Sequence, residues 1–371
     1  MRIVFQLSCL SASEQTWPTG GNSPPTVSIH ILDDDSLLHI FYLYQPFLLG
    51  EDEDDAARLV GGSREWVYGQ WWYKLAHVCQ RWRNIMLGST SYLGLYLVCT
   101  NGTPVADMLA HSPPLPLVID YFDRITAEDE EGMFLALKQR DRVHRVRLDS
   151  YILMSVKQKF IAAMDEEYPI LEYLIIRRQL WDSTSLTLPE TLQAPHLRHL
   201  MLAGFTLPIE SPLLMTAVGL TTLSLQIDDP SIYLHPNTLL QWLSLMPQLE
   251  VLWIFFVLPD PNCDVGRQLE GQLTHHSPTI ILPNLRYFVF RGVSAHLEAI
   301  FHRIVTPRLQ KLEMYFYNQF TFSVPRFLQF LNTNENLRFG SAKFESARGV
   351  VIVKLYPREE ADTETFTLDV Q

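Results

Sequence analysis

The sequence predicts an α/β protein in which a small helical unit precedes an irregular solenoid of alternating strands and helices. Three observations carry the prediction. A segment of the form Pro-x-Leu-x-x-apolar-x-apolar recurs along the chain, the stretches between its copies hold apolar residues at helical spacing, and two short amphipathic helices stand ahead of the first copy.

The chain has 371 residues, 47% of them hydrophobic, enough apolar material for a sizeable core. Its 29 basic and 41 acidic side chains leave a net charge of −12 without any basic tract, so the electrostatic footprint of a nucleic-acid binder is missing. Cys9, Cys79, Cys99 and Cys263 are widely spaced and form no CxxC pair. That pattern argues against a disulfide scaffold or a structural zinc site and fits a reducing compartment, cytoplasmic or nuclear. No run reaches the roughly 18 apolar residues of a membrane span, so no membrane partner is expected.

Residues 1–30, rich in Ser, Pro, Gly and Thr after position 10, read as a flexible lead-in. In LDDDSLLHIFYLYQP, Asp33 to Asp35 suit a helix N-cap and first turn, Leu37, Leu38, Phe41 and Tyr44 share one face, and Pro46 stops the helix. Residues 47–73 look like an insertion, with the acidic run Glu51 to Asp55 and the aromatics Trp66, Tyr68, Trp71, Trp72 and Tyr73. KLAHVCQRWRNIM follows as a second helix, with Leu75, Val78, Cys79, Trp82 and Ile85 on its apolar face. TSYLGLYLVCTN and PLPLVIDYF then alternate as strands around a turn and short helix, NGTPVADMLAHSPP.

The repeats begin next. PILEYLII, PHLRHLML, PQLEVLWI, PNLRYFVF and PRLQKLEM carry the proline, while VHRVRL and GLTTLSL fit without it. Their first apolar positions, 143, 171, 197, 220, 249, 285 and 309, lie 23 to 36 residues apart. The last two apolar positions of each unit alternate, as a strand with two inward side chains requires. Proline ends the preceding helix and pre-sets an extended entry. TLLQWLSLM (238–246), SAHLEAIFHRI (294–304) and VPRFLQFL (324–331) supply the helices between units. The tail alternates as a strand at Val351, Val353 and Leu355 and breaks at Pro357.

The recurring segment, at mostly 23 to 29 residues, resembles the leucine-rich repeat. It departs from that family in holding Gln179, Phe205, Asp228, Val257, Val293 and Tyr317 where an asparagine or cysteine ladder would stand. The two helices ahead of it resemble the F-box, whose matches here are Leu32, Ile40 and Phe41, then Leu75, Val78, Cys79 and Trp82. Asp33 replaces the family's usual proline. Together the segments look most like the divergent F-box and leucine-rich-repeat proteins of mushroom-forming fungi. The organisation this implies is a lead-in at 1–30, a small helical F-box at 31–87 with its insertion at 47–73, and an irregular leucine-rich-repeat solenoid at 88–371.

The resemblance implies a substrate-recognition adaptor of a cullin-based ubiquitin ligase. The F-box helices would dock on the Skp-type adaptor of the cullin complex through Leu32, Leu38, Ile40, Phe41, Leu75, Val78, Cys79 and Trp82. Leu38 and Trp82 suit a core as well as an interface. A client protein would meet the strand residues that flank the inward pairs. Tyr173, Arg177, His199, Trp253, Tyr287, Arg291 and Tyr315 are the candidates, because Trp, Tyr and Arg dominate binding hot spots. For Trp253 and Phe255, burial beneath the long segment 256–282 is the favoured alternative.

No catalytic residue, metal ligand or cofactor is expected. His196 and His199 have ligand-like spacing but lie across a strand with no glutamate of the HExxH kind beside them. His275-His276 falls in a polar loop, and the carboxylates Glu128 to Glu131 read as a solvated helix start. GxSxG, GxxxxGK[ST] and GxGxxG are all missing. A repeat scaffold with a decayed F-box is the other reading the residues allow.

Overall fold

The computed structural model describes residues 31–45, 71–122, 124–178, 186–206, 208, 211–227, 234–256, 279–317, 329–331, 341–347 and 350–356. Most of the insertion at 47–73 and the helix expected at 324–331 lie outside these residues, as do Cys9, Cys263 and His275-His276.

Helix α1 (Asp34–Tyr44) starts where the sequence places it. The Asp33 side chain accepts from the Ser36 backbone N–H at 2.7 Å, and Asp34 and Asp35 sit in the first turn where the helix dipole favours carboxylates. Leu37 and Phe41 are buried on its inner face, whereas Tyr44, expected beside them, is exposed.

The second helix is a correction. It is two helices, α2 (Trp71–Ala76) and α3 (Gln80–Gly88), with an extended Cys79 as N-cap between them. The chain closes α2 in a turn, Val78 N–H to Leu75 C=O at 3.1 Å, and Arg83 Nε from the next helix caps the Ala76 carbonyl at 3.1 Å. The break redirects the chain, so Trp82 and Met86 turn inward while Val78 remains exposed.

A short strand β1 (Leu97–Cys99) leads through α4 (Val105–His111) to β2 (Leu117–Tyr121), then α5 (Ala127–Leu137), β3 (Val143–Leu148), α6 (Met154–Ala162) and β4 (Tyr173–Ile176). After β4 come β5 (Leu186–Thr187), β6 (His199–Ala203), β7 (Phe205–Thr206), α7 (Pro212–Thr216), β8 (Thr222–Ile227), α8 (Pro236–Ser244) and β9 (Val251–Phe256). The last described elements are β10 (Ile280–Ile281), β11 (Tyr287–Gly292), α9 (Ser294–Phe301), β12 (Ile304–Val305), β13 (Lys311–Tyr317), β14 (Ser341–Ala347) and β15 (Val350–Tyr356).

Eleven of these strands form one sheet in the order β1-β2-β3-β4-β6-β8-β9-β11-β13-β15-β14. From β1 to β13 every pairing is parallel and follows chain order; β15 joins β13 antiparallel and carries β14 at the edge. The seven repeat segments are β3, β4, β6, β8, β9, β11 and β13, adjacent and in register. Two small parallel pairs, β5 with β7 and β10 with β12, lie outside this sheet.

The recurring proline has a more local job than ending a helix. In each copy the leading leucine's N–H donates to the carbonyl three residues back, Leu171 to Tyr168, Leu197 to Ala194, Leu249 to Met246, Leu285 to Leu282 and Leu309 to Thr306. That places proline at the second position of a β-turn, where its fixed φ fits. Leu220 makes the same turn to Ala217 with Val218 in the proline's place. The turns aim each strand at its neighbour. The carbonyl just before one strand then accepts two N–H groups from the next repeat, as Glu250 does from Arg286 and Tyr287.

Inward side chains stack from strand to strand as Leu174, Leu200, Leu223, Leu252, Phe288 and Leu312, and all are fully buried. Phe288 meets Phe301 of α9 edge-on at 6.1 Å, and Phe134 of α5 lies 6.3 Å from Phe160 of α6. One continuous cluster of buried residues runs from Leu37 to Val353, so the N-terminal helices share the core of the sheet. Among the described residues no helix is long and apolar enough to cross a membrane.

Candidate functional site: the helical pair and the open face of the sheet

Two surfaces hold the residues that the sequence singles out. On the helical unit, Phe41 packs against Trp82 edge to face with ring centroids 4.9 Å apart, and both are buried. Phe41, expected to reach a partner, and Trp82, for which core and interface were both open, therefore hold α1 to α3. Arg81 secures the same junction from outside, donating to Asp34 Oδ1 at 2.6 Å and to the Leu32 carbonyl at 2.6 Å. Leu32, Leu38, Leu75 and Cys79 are half-buried against the core.

What stays exposed is a different set. Ile40 (41%), Leu43 (59%) and Tyr44 (56%) stand one turn apart on α1, and Val78 (43%) sits at the break between α2 and α3. Of the eight expected interface residues, Ile40 and Val78 are exposed; Leu43 and Tyr44 extend the apolar stripe and were not anticipated as contacts.

The second surface is the sheet face opposite the inward leucines, where the strand register sets three rows. Along the first, Arg145, Tyr173, His199, Thr222, Val251, Tyr287 and Lys311 are successive partners. The Arg145 guanidinium lies 4.2 Å from the centroid of the Tyr173 ring, which stacks on His199 at 4.2 Å. Burial, with Arg145 adding to it, pushes the His199 imidazole down to about 4, so it is neutral at pH 7. His196 is exposed, and among the described residues no group of three or more His, Cys, Asp or Glu is placed to hold a metal ion. Cys99 lies on the inward side, buried, and burial pushes its thiol up to about 12.

The middle row is the most enclosed: Ile175, Ser224, Trp253, Val289 and Glu313 are all buried. Trp253, a candidate contact, is only 7% exposed, and its indole ring meets Phe255 and Tyr287 edge-on at 5.6 and 5.9 Å. The alternative of burial accords with this, and the segment 257–278 lies outside the described residues. Glu313 organises the neighbouring ring system: Tyr287 and Tyr315 donate their hydroxyls to its two oxygens at 3.0 and 2.8 Å, and Lys311 Nζ approaches at 3.5 Å.

Arg177, Gln226, Phe255 and Tyr315 make the third row at the C-terminal ends of the strands, all half-buried, with Arg291 exposed among them. The seven expected client residues thus fall on one face, in two groups. Tyr173, Arg177 and His199 lie toward β4 and β6, and Trp253, Tyr287, Arg291 and Tyr315 lie across β9 to β13.

Sequence reasoning passed over a charged cluster at β2 and β3. Asp120 is buried beside Arg147, whose Nε lies 3.8 Å from Asp120 Oδ1 and whose Nη2 lies 3.7 Å from Asp149 Oδ2. Burial raises the Asp120 carboxyl to about 6, Arg147 pulls against that rise, and Asp149 adds to it. Applying to VHRVRL the same alternation used for the other repeats would have exposed Arg145 and Arg147. The carboxylates expected on a solvated helix start need a correction too: Asp129 is buried, closes a capping box with Thr126, and accepts from the Gly102 N–H at 2.7 Å.

Comparison with protein-family models, curated proteins and solved structures finds no match to this chain.

Proposed function

We propose that this chain is a substrate receptor of an SCF-type ubiquitin ligase, in which α1 to α3 form a divergent F-box and the parallel sheet with its helices is an irregular leucine-rich-repeat solenoid. The observation that carries the reading is that the seven repeat segments are seven adjacent parallel strands, behind a helical unit whose outer side bears the apolar stripe Ile40, Leu43 and Tyr44. A stripe of that kind calls for a partner helix or groove. The role assigned is binding; no catalytic step is assigned to any residue.

The contact set shifts relative to the family pattern. Ile40, Leu43, Tyr44 and Val78 meet the Skp-type adaptor, and Phe41 and Trp82 support them from beneath. Co-purification with a recombinant Skp-type adaptor tests this: wild type is retained, and Ile40→Asp, which buries no charge in the free protein, abolishes retention. A folded wild type that fails to bind would favour the second reading, a repeat scaffold without a ligase role. The burial of Phe41 and the broken second helix speak for that alternative.

A further inference from the structure

The chain contains a single Asn-Gly pair, Asn101-Gly102, and the structure sets it in the loop between β1 and α4. The Thr103 N–H donates to the Thr100 carbonyl at 3.0 Å, which closes a four-residue turn with Asn101 and Gly102 at its centre. Gly102 takes the third position with φ +74°, a value that glycine supplies without steric cost. Such a pair is chemically weak. Because glycine has no side chain to obstruct the approach, its amide nitrogen can attack Cγ of the asparagine. The new N–Cγ bond closes a succinimide, the Cγ–Nδ2 bond breaks, and the amide proton leaves with the departing ammonia. Water then opens the ring to aspartate or isoaspartate.

The atoms that this reaction must move are held. The Gly102 N–H donates to Asp129 Oδ1 at 2.7 Å, so the nucleophile is tied to the first turn of α5. The carboxamide is held at both ends: Asn101 Nδ2 donates to the Arg124 carbonyl at 3.2 Å, and Asn101 Oδ1 accepts from the Phe122 N–H at 3.5 Å. Asp129 is fixed in turn, because its Oδ2 accepts from the Thr126 N–H and hydroxyl, both at 2.9 Å. Burial works to raise the Asp129 carboxyl, and the bonds from Thr126 and Gly102 outweigh it, so the group sits below the usual carboxylate range and is ionised at neutral pH. A bond from an N–H to a carboxylate is among the stronger ones, and this one must break before the nitrogen can attack.

We infer that Asn101-Gly102 is a latent self-modification site, closed while Asp129 holds the Gly102 N–H and opened when the first turn of α5 releases it. The inference stands apart from the ligase reading. Conversion is one-way. An aspartate in place of Asn101 has no N–H for the Arg124 carbonyl, and an isoaspartate adds a methylene to the main chain of a turn that closes over four residues. The turn follows β1 directly, and just ahead of β1 the Tyr96 carbonyl accepts from Trp72 Nε1 of α2 at 3.2 Å. An opening of α5 would therefore leave a permanent mark close to the seam between the helical unit and the sheet.

The test follows the full chain by peptide mass spectrometry during incubation at neutral pH, reading the mass gain of acid over amide at Asn101. Folded wild type should convert at least about tenfold more slowly than the same chain unfolded in urea, since the bond to Asp129 must first be broken. Asp129→Ala should convert about tenfold faster than wild type, and Asp129→Asn, which keeps an acceptor without the charge, should fall between them. Thr103→Val, which removes the acceptor for the Thr100 N–H and leaves Asp129 in place, should accelerate conversion less than Asp129→Ala does. Circular dichroism shows whether Asp129→Ala has kept its fold; if it has not, Asp129→Asn takes its place, and a rate equal to wild type then overturns the inference. Folded wild type converting as fast as the unfolded chain would also overturn it, as would a folded Asp129→Ala matching wild type, or Thr103→Val outpacing Asp129→Ala.

Discussion

Replacing Phe41 by alanine separates two roles of the apolar side chains of α1, packing the core and meeting a partner. The ring is fully buried, packed edge to face on Trp82, and part of the cluster that continues into the sheet. Its removal leaves a cavity on the face that also buries Leu37, and Phe→Ala at such a site costs about 3–5 kcal/mol. Ile40, its immediate neighbour, is 41% exposed, and Ile40→Ala should cost less than about 1 kcal/mol. Urea unfolding followed by tryptophan fluorescence, with Trp71, Trp72 and Trp82 in the helical unit as reporters, measures both. If Phe41→Ala were no more destabilising than Ile40→Ala, the packing described for α1 on α3 would be wrong, and Phe41 would return to the surface as a direct contact. The comparison also decides which variants are clean probes of binding. Phe41→Asp would bury a charge and confound folding with recognition; Ile40→Asp does not.

Acid should weaken the fold through His296. Its ring is fully buried beside Phe256 and Phe290, and burial, with His235 adding to the effect, pushes its pKa down to about 3. The unfolded chain then binds the extra proton below about pH 6.5, so stability is complete above that pH and falls as pH drops toward 3, by about 2 kcal/mol at pH 5. His296→Leu should flatten that part of the profile in urea titrations at pH 7.5 and 5.0, and an unchanged slope would place the titration elsewhere. Gly204 adopts φ +76°, and a Cβ there would meet the Arg178 side chain at 2.5 Å. Gly204→Ala should therefore cost about 1–3 kcal/mol in the same assay, with a neutral result contradicting the backbone described at the β6–β7 corner.

The parallel sheet was legible because its signal was repeated. One Pro-x-Leu-x-x-apolar-x-apolar segment is weak evidence, but each added copy had to alternate in the same phase, and leucines at fixed offsets leave little choice of register. The turn that the proline serves was not legible, since ending a helix and setting a β-turn both use the same fixed φ. The break at His77 to Cys79 was hidden for a related reason. The apolar residues keep helical spacing across it, and what decides the outcome is a long-range choice, Trp82 against Phe41, with Arg83 capping the freed carbonyl. Burial was the least legible quantity. Phe41 and Ile40 are adjacent and both apolar, and only the position of α3 decides which of them faces in. On the sheet face, alternation identified the candidate residues, but Glu313 as the centre of the tyrosine pair and Asp120 beside Arg147 depend on pairing between strands distant in sequence.

In the proposed complex the outer side of α1, not its buried face, meets a Skp-type adaptor. Hydrogen exchange of the full chain, with and without that adaptor, addresses it most directly. Added protection is expected over Ile40 to Tyr44 and around Val78, with the sheet from β3 to β13 unchanged. Protection confined to the sheet, or none anywhere with the adaptor in excess, would contradict it.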